Sequence, residues 1–543
     1  MRTQILILII LSNIAYSQIT EEWVQKYSGP QPNGAAEPQA IAVDLNGNIY
    51  VAGSASTPSV NGVDYATIKY SNEGSVLWIK TYDGTNLLQY IDIATDIVVD
   101  VSGNVFVTGK SRGTTSLFDY ATIKYDSDGN ELWVQRYNAG NFDDEASSIA
   151  IDPLGNVYIT GWTKSSFSST FIYTTIKYNS GGDQLWVADY NGPGNGNDFA
   201  RSIAVDNMGN VYVTGESMGL NNKNEYATIK YDTNGNEIWV KRYSGPESEN
   251  SMAYCMALDD AANVYVTGSS YIYYATIKYN SDGNELWAQR YGAEISYDKA
   301  NAIAVDEIGN VYVTGQSFGV DSEFDYATIK YNSDGTEQWA SIYNGPGQGM
   351  DQASSICVDE ERNVYVTGWS DAVVGVEGNL DFATIKYNPD GQEVWVMRYN
   401  GTGDGPDYQT AGIVLDGGNN VFVTGSSMGD FLNQNFATIK YSQSPSHIKE
   451  INSEVPNAYS LFQNYPNPLN PSTKIEYSIP EHSLVQLSVY DVLGNEVFEI
   501  INEEQVAGTY RVDLNGAELP SGVYFYKLQA GSFVETKKMI LLK

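Results

Sequence analysis

The residues with the clearest potential for binding chemistry are aspartates that recur at one position of a repeated pattern. Each stands five residues before the central apolar residue of a short β-type run, and Asp407 is displaced from this position by one residue. The set consists of Asp92, Asp144, Asp198, Asp298 and Asp351. Convergent carboxylates would hold Ca²⁺ or a cationic ligand, because Ca²⁺ takes oxygen ligands. The alternative, which we prefer, is that each aspartate caps the backbone N–H groups of its own loop.

Two tryptophans form a second candidate site. Trp162 and Trp369 each follow a Gly that ends a predicted strand, in the third and seventh repeats. Exposed indole rings at a rim would stack on sugar rings. Packing against the neighbouring repeat explains them equally well, so the sequence leaves both interpretations open.

The sequence excludes several kinds of catalytic site from the repeats. Histidine is the commonest general base and a frequent metal ligand, and the chain has only His447 and His482, both beyond the repeats. Ser-His-Asp, Cys-His and His-based zinc sites are therefore excluded there. No P-loop, GxSxG or HExxH sequence is present. Carboxylate or tyrosine chemistry stays open.

A phrase that suggests a calcium loop is better explained as a turn. Asp126-Ser127-Asp128-Gly129-Asn130 and its relatives place Gly fourth, whereas an EF-hand loop needs Gly at its sixth position and Glu at its twelfth. Gly and Asn supply the positive φ of tight turns. We therefore predict a hairpin turn between two strands.

All these residues belong to a unit that repeats about every 50 residues, the length of a four-stranded propeller blade. Four runs of strand-forming composition make up each unit, such as SIAVD, NVYVTG, EYATIKY and EIWVKRY after residue 201. An Asp closes the first run, at Asp44, Asp100, Asp152, Asp206, Asp259, Asp306, Asp359 and Asp416. A lysine recurs in the third run, at Lys69, Lys124, Lys177, Lys230, Lys278, Lys330, Lys386 and Lys440. The eight copies predict an all-β, eight-bladed β-propeller over residues 18–441, in which the repeated lysine has a structural, interblade role.

The ends of the repeat region predict how the ring closes. The eighth unit stops at Tyr441 without its tryptophan strand, while residues 22–27, EWVQKY, form a tryptophan strand without a unit. We predict that this N-terminal strand completes the eighth blade and hides the sheet edge.

One face of the propeller is predicted to carry the binding surface. The connections after the first and third runs are short, whereas those after the second and fourth runs vary in length. In an up-and-down blade these two variable connections emerge on the same face. We call it the variable face and expect any extracellular glycan or protein ligand there.

The phrase VDxxGNVYVTG followed by DYATIKYxxxGxxxW resembles the SBBP family of β-propeller repeats over residues 22–441. The family name implies seven blades, whereas this chain has eight units. The resemblance implies a propeller on an exported protein and no particular reaction.

Charge and cysteine content narrow the class of protein further. The formal net charge of −36 and the pI near 4.2 argue against nucleic acid and anionic lipid as partners. Cys255 and Cys357 fall in the first strands of blades five and seven, too far apart for a disulfide, which needs Cα atoms within about 7 Å. We expect small buried residues.

The two ends of the chain differ from the repeats. Residues 1–17 combine Arg2, an apolar run and Ala15-Tyr16-Ser17, the pattern of a secretory signal peptide. No other segment approaches the about 20 apolar residues of a transmembrane helix. Residues 442–458 are predicted to be a linker. Residues 459–543 hold five further strand-like runs and predict a small Ig-like β-sandwich.

This last segment closely resembles the type A C-terminal sorting domain of the type IX secretion system. The matching residues are 464–473 (NYPNPLNPST), Val489-Tyr490-Asp491, Gly494, 521–526 (SGVYFY) and Lys537-Lys538-Met539; Leu469 stands where that family usually has Phe. The resemblance implies export through the type IX machinery of a Bacteroidetes-like Gram-negative bacterium. Release or attachment at the cell surface follows, often with removal of the tail.

Together these patterns predict an exported binding or scaffold module without catalysis. Two alternatives remain, an extracellular polysaccharide-active enzyme that uses carboxylates of the variable face and a purely structural surface component.

Overall fold

The computed structural model describes residues 19–542 apart from short segments, at 31–33, 57–61, 85–90, 114–116, 141, 165, 167–169, 247, 293–296, 320–322, 374–378, 402–406, 429–433, 444–447, 453–455, 470–471, 506 and 517–518. The predicted signal peptide and His447 lie outside the described residues. The chain divides into two compact units, one of residues 21–442 and one of residues 443–543.

The first unit consists of eight four-stranded antiparallel sheets. Blade one contains β2 (Ala36–Val43), β3 (Ile49–Ser56), β4 (Val63–Tyr70) and β5 (Val76–Tyr82), and blade two contains β6 (Asp92–Val99), β7 (Val105–Arg112), β8 (Phe118–Tyr125) and β9 (Glu131–Tyr137). Blade three contains β10 (Glu145–Ile151), β11 (Val157–Thr163), β12 (Ile172–Tyr178) and β13 (Gln184–Tyr190), and blade four contains β14 (Asp198–Val205), β15 (Val211–Met218), β16 (Asn224–Tyr231) and β17 (Glu237–Tyr243).

Blade five contains β18 (Ser251–Leu258), β19 (Val264–Ser270), β20 (Tyr273–Tyr279) and β21 (Glu285–Tyr291), and blade six contains β22 (Lys299–Val305), β23 (Val311–Phe318), β24 (Phe324–Tyr331) and β25 (Glu337–Tyr343). Blade seven contains β26 (Asp351–Val358), β27 (Val364–Asp371), β28 (Leu380–Tyr387) and β29 (Glu393–Tyr399). Blade eight contains β30 (Tyr408–Leu415), β31 (Val421–Met428), β32 (Gln434–Gln443) and β1 (Ile19–Tyr27). The predicted eight-bladed propeller is confirmed.

The ring closes as the sequence predicts. In blade eight the strand order is β1-β32-β31-β30, so the N-terminal strand is the outermost one. Innermost strands of adjacent blades contact one another all the way round, including β2 of blade one with β30 of blade eight. Trp23 in β1 donates its Nε1–H to the Asn72 carbonyl of blade one at 2.9 Å.

The second and third strands of each blade form the core. Their β-branched and aromatic residues are buried on both faces, because each blade is covered by its two neighbours. In blade four, for example, Val211, Tyr212, Val213, Tyr226 and Ile229 are at most 1% exposed. Burial of this many large side chains is the main force that stabilises the propeller.

The repeated lysine and tryptophan bind adjacent blades together. In blade four, Lys230 Nζ and Trp239 Nε1 both donate to the Ser281 carbonyl of blade five, at 2.9 and 3.2 Å. The same pair of bonds recurs from Lys69 and Trp78 to Ser127. The acceptor lies in the turn between the third and fourth strands of the next blade, so the structural role predicted for the lysine is confirmed.

The face of the propeller that carries these interblade bonds is formed by tight turns. Asp126 Oδ1 accepts hydrogen bonds from the N–H groups of Asp128 and Asn130, and Oδ2 accepts one from Asn130 Nδ2. The phrase is therefore a hairpin turn between β8 and β9. Gly235 in the corresponding turn of blade four has φ +84°, and a Cβ there would lie 2.7 Å from Trp186 Cδ2, which only glycine avoids.

The second unit is a sandwich of two four-stranded sheets. One sheet has the order β33 (Ile448–Asn452), β38 (Gly508–Asn515), β35 (Ser472–Ile479) and β34 (Ser460–Leu461), and the other has β37 (Glu496–Gln505), β36 (Ser483–Tyr490), β39 (Gly522–Ala530) and β40 (Phe533–Leu541). Ile475, Leu487, Val512, Tyr526 and Leu528 lie in its core. No helix in the described residues has the length and apolar character needed to cross a membrane.

One boundary differs from the prediction. Residues 442–458 are not a linker throughout, because β33 lies inside them and pairs with β38. Its polar composition gives little indication of a strand, and pairing along a sheet edge decides its conformation.

Candidate functional site

The variable face carries the predicted aspartates, and each of them caps backbone amides. Asp351 lies at the start of an innermost strand and is fully buried. Its Oδ2 accepts from Gly345 N at 2.7 Å and its Oδ1 from Asp371 N at 2.9 Å. Gly345 lies in the loop that enters the blade, and Asp371 ends the second strand. One carboxylate thus ties the incoming loop to its own blade.

The other aspartates of the set repeat this geometry. Asp92 accepts from Gly84 and Arg112, Asp144 from Ala139 and Lys164, Asp198 from Gly192 and Met218, and Asp407 from Gly401 and Met428. Asp298 accepts from Phe318 N at 2.9 Å. These bonds have the geometry of local caps, and the carboxylates are turned into their own loops.

Burial sets the charge state of several of these groups. It raises the pKa of Asp144 and of Asp351 to about 6, against the opposing effect of their backbone hydrogen bonds. In the described residues, the one group of three acidic, His or Cys side chains whose ligand atoms all lie within 4.8 Å is Asp64, Asp83 and Asp92. The five predicted aspartates are therefore not brought together in a common cluster.

This acidic group lies where blades one and two meet, and blade one lacks an arginine that blades two, four and seven have. In blade two, Arg136 pairs with Asp119 at 2.8 Å and donates to Ser111 and to Tyr82 of blade one. Arg242 with Glu225 and Arg398 with Asp381 form the same pair in blades four and seven. Thr81 occupies the arginine position of blade one, opposite Ala66 in the backbone register. Without that guanidinium, burial and the carboxylates of Asp83 and Asp92 raise the pKa of Asp64 to about 7.

The two predicted tryptophans have different surroundings. Trp162 in β11 packs edge-on against Phe171 of its own blade and Phe199 of blade four, with ring centroids 4.6 and 5.7 Å apart. Trp369 in β27 lies opposite Gln352 and Phe382 in the backbone register. Both indole rings are half-buried. Trp162 thus makes the interblade packing that the sequence left as an alternative, and it retains partial exposure.

Sequence reasoning missed a group of charged and aromatic residues on blades four to six of the variable face. Arg201 lies at the β-bulge of the innermost strand of blade four and pairs with Glu216 at 2.6 Å. Lys299 Nζ lies 4.3 Å from the ring centroid of Tyr254. When the repeats are aligned, Arg201 and Lys299 stand out as basic residues at positions that are not basic in most blades.

Cys255 and Cys357 are unpaired, in β18 and β26. Burial raises the pKa of both thiols above the ordinary value. This makes them poor nucleophiles, because the thiolate is the reactive form.

Comparison with known families assigns both units. Residues 22–57, 132–168, 190–222, 286–319 and 338–373 match a β-propeller repeat family, SBBP. Residues 463–542 match a secretion system C-terminal sorting domain.

Individual relatives are more distant. An uncharacterized WD repeat-containing protein of Acanthamoeba polyphaga mimivirus is 23% identical over 446 residues, covering 65% of this chain and 31% of that protein. The chain therefore spans less than a third of that relative's length.

Similar solved structures include the polysaccharide lyase Uly1, with 11% identity, a TM-score of 0.39 and coverage of 77% of this chain and 92% of that one. They also include Drosophila Plexin A in complex with Semaphorin 1b, with 7% identity, a TM-score of 0.38 and coverage of 78% and 87%. Since neither score reaches 0.5, these structures say nothing about the activity of this chain.

Proposed function

Because this chain carries SBBP β-propeller repeats and a type IX secretion sorting domain, we propose that it is an exported binding or scaffold module that acts without catalysis through its variable face. The sorting domain indicates export to the cell surface or the medium, and it implies contact with the secretion machinery. That the propeller binds a ligand is our inference.

The contrast between the two faces of the propeller carries this proposal. On one face, every turn after the first strand has the same Asp-capped form, as at Asp206 and Asp306. On the variable face, the loops differ between blades and expose Tyr271, Tyr297 and Phe318 by 51, 73 and 43%. Variable loops on a rigid scaffold are the usual location of binding residues.

The environment of the acidic residues favours binding over catalysis. A general acid and base must reach a substrate. Asp198 and Asp351 instead use both oxygens to hold backbone amides and are fully buried. This supports a scaffold role for them rather than the enzyme alternative.

The proposal is tested with the full chain against a panel of neutral and anionic polysaccharides, with binding and the release of reducing ends measured separately. We expect binding to at least one polymer without release. Tyr271→Ser combined with Tyr297→Ser on the variable face should weaken it. The matched control, Leu154→Ser with Met208→Ser, removes exposed apolar side chains from the opposite turns and should leave binding unchanged.

Release of reducing ends would support the enzyme instead. Binding to none of the polymers would contradict a glycan-binding module, and equal weakening by both pairs of substitutions would contradict the assignment to the variable face.

A further inference from the structure

Basic residues at positions that most blades do not share cluster on one part of the variable face. Apart from the basic residues at the ends of the outermost strands, such as Arg136 and Arg398, six lie at strand ends or in loops of that face, namely Lys110, Arg112, Lys164, Arg201, Lys223 and Lys299. All six belong to blades two to six, in a chain with a formal net charge of −36. At the end of the outermost strand, blade seven has Arg398 and blade eight has Lys26, whereas blade one has Thr81, and the cluster of Asp64, Asp83 and Asp92 lies where blades one and two meet. Four of the six, Lys164, Arg201, Lys223 and Lys299, thus lie in blades three to six, away from this acidic cluster.

Among these cations, Lys164, Arg201 and Lys299 stack on aromatic rings of blades three to five. Lys164 lies 5.2 Å from the ring of Phe171, which contacts Trp162 and Phe199. Arg201 follows, 5.6 Å from the ring of Phe199. We call Trp162, Lys164, Phe199, Arg201, Tyr254 and Lys299 the basic–aromatic rim.

The charges of Arg201 and Lys299 interact, which links the blade-four part of the rim to blade six. Arg201 pairs with Glu216 of its own blade. Burial and then the charge of Arg201 lower the pKa of Lys299, which stacks on Tyr254. Arg201 and Lys299 therefore bring positive charge to the same stretch of the rim, which favours an anionic ligand there.

The rim retains capacity for a ligand. The side chain of Arg201 is 41% exposed. No ion pair in the described part of the chain involves Lys164 or Lys299, whereas Lys110 and Lys223 are paired with Glu145 and Glu249 at 2.8 and 2.9 Å. The exposed Tyr271, Tyr297 and Phe318 all belong to blades five and six or to the loop that enters blade six.

Sugar polymers with carboxylates match this combination. Aromatic faces pack against the C–H faces of sugar rings, and Lys and Arg form charge-assisted hydrogen bonds with carboxylates. A neutral polysaccharide would form no charge-assisted bond with these cations. Duplex nucleic acid, with one charge about every 1.7 Å, would be repelled by the acidic remainder of the chain.

We propose that the basic–aromatic rim binds an anionic, carboxylate-bearing polysaccharide, away from the acidic cluster where blades one and two meet. This inference rests on the proposed binding function and specifies the ligand class and the location.

The test uses the full chain and polygalacturonate as the probe, with laminarin as a neutral polymer, in a titration at fixed ionic strength. Lys164→Gln with Lys299→Gln should weaken polygalacturonate binding by about tenfold or more, since each removes a charge-assisted contact. The control, Lys110→Gln with Lys223→Gln, makes the same charge change on the same face and should weaken binding less than about threefold. Circular dichroism establishes that both double variants are folded.

If the wild-type chain does not bind polygalacturonate, or if both double variants lose affinity equally, the inference is wrong. Binding of laminarin with loss on Tyr271→Ser and Tyr297→Ser would then leave the proposed function standing. If Lys164→Gln with Lys299→Gln unfolds the protein, Arg201→Gln is the second variant, with the same expected loss and the same contrary outcome.

Discussion

Because of the way the ring closes, the indole N–H of Trp395 has no hydrogen-bond partner among the described residues. Seven of the eight repeated tryptophans donate Nε1–H to a carbonyl in the third-to-fourth-strand turn of the next blade. Blade eight has no such turn, because its third and fourth strands, β32 and β1, come from opposite ends of the chain. Trp395 Nε1 is buried and has no hydrogen-bond partner among the described residues. We therefore expect substitution by Phe to act differently here than in any other blade.

The comparison pairs Trp395→Phe with Trp239→Phe. The indoles of Trp395 and Trp239 are 6 and 9% exposed, and each lies 6.1 Å from a tyrosine ring of its own blade. Trp239 also lies 6.3 Å from the Tyr279 ring of blade five, so its substitution loses at least as much apolar contact. Trp239→Phe also removes the bond to Ser281, worth about 1 kcal/mol net. Trp395→Phe removes an unsatisfied buried N–H, whose desolvation costs about 1–3 kcal/mol. Trp239→Phe should thus be more destabilising by about 2 kcal/mol or more.

The assay is urea unfolding followed by far-UV circular dichroism, with calorimetry to establish that the propeller unfolds in one transition. Trp287→Phe, whose Nε1 donates to Ser333 at 3.1 Å, is a second member of the bonded class. If Trp395→Phe lowers the free energy of unfolding as much as these two substitutions, the missing turn of blade eight does not explain the behaviour of Trp395.

Three further predictions concern stability. Asp64→Asn should melt at a higher temperature than wild type at pH 8 and at the same temperature below pH 4, because the raised pKa of Asp64 means that wild-type stability is lost as pH rises from about 4 to about 7. The control, Asp119→Asn, breaks the pair with Arg136 and should be destabilising at pH 8. Equal effects of the two substitutions would contradict this explanation. Asp351→Asn should lower the free energy of unfolding by about 1–3 kcal/mol, because an amide has one acceptor oxygen and leaves one backbone N–H unpaired. If the melting temperature rises with the logarithm of Ca²⁺ concentration in wild type and not in this variant, the aspartates share a cation after all. Deleting residues 19–27 should lower the melting temperature and cause aggregation by exposing the β32 edge, measured by calorimetry and light scattering, and an unchanged transition would argue against closure by β1.

Periodicity alone was enough to predict the architecture. Eight Asp and eight Lys positions, with the unmatched tryptophan strand at residues 22–27, specify both the blade number and the closing strand. Each blade is a local unit whose turns and β-branched runs determine its own strands. The sequence predicts that unit directly because most of its contacts lie within about 50 residues.

Tertiary structure decided what the sequence left open. Whether Asp351 meets the other aspartates or its own loop depends on the direction of its side chain, and hydrogen bonds to Gly345 and Asp371 set that direction. The strand at Ile448–Asn452 depends on pairing with β38, a distant segment. The basic–aromatic rim joins residues from four successive blades, so its contacts arise only when the blades pack. A pattern within one repeat carries no information on which side chains of different repeats meet, since that is fixed by burial and charge between sheets.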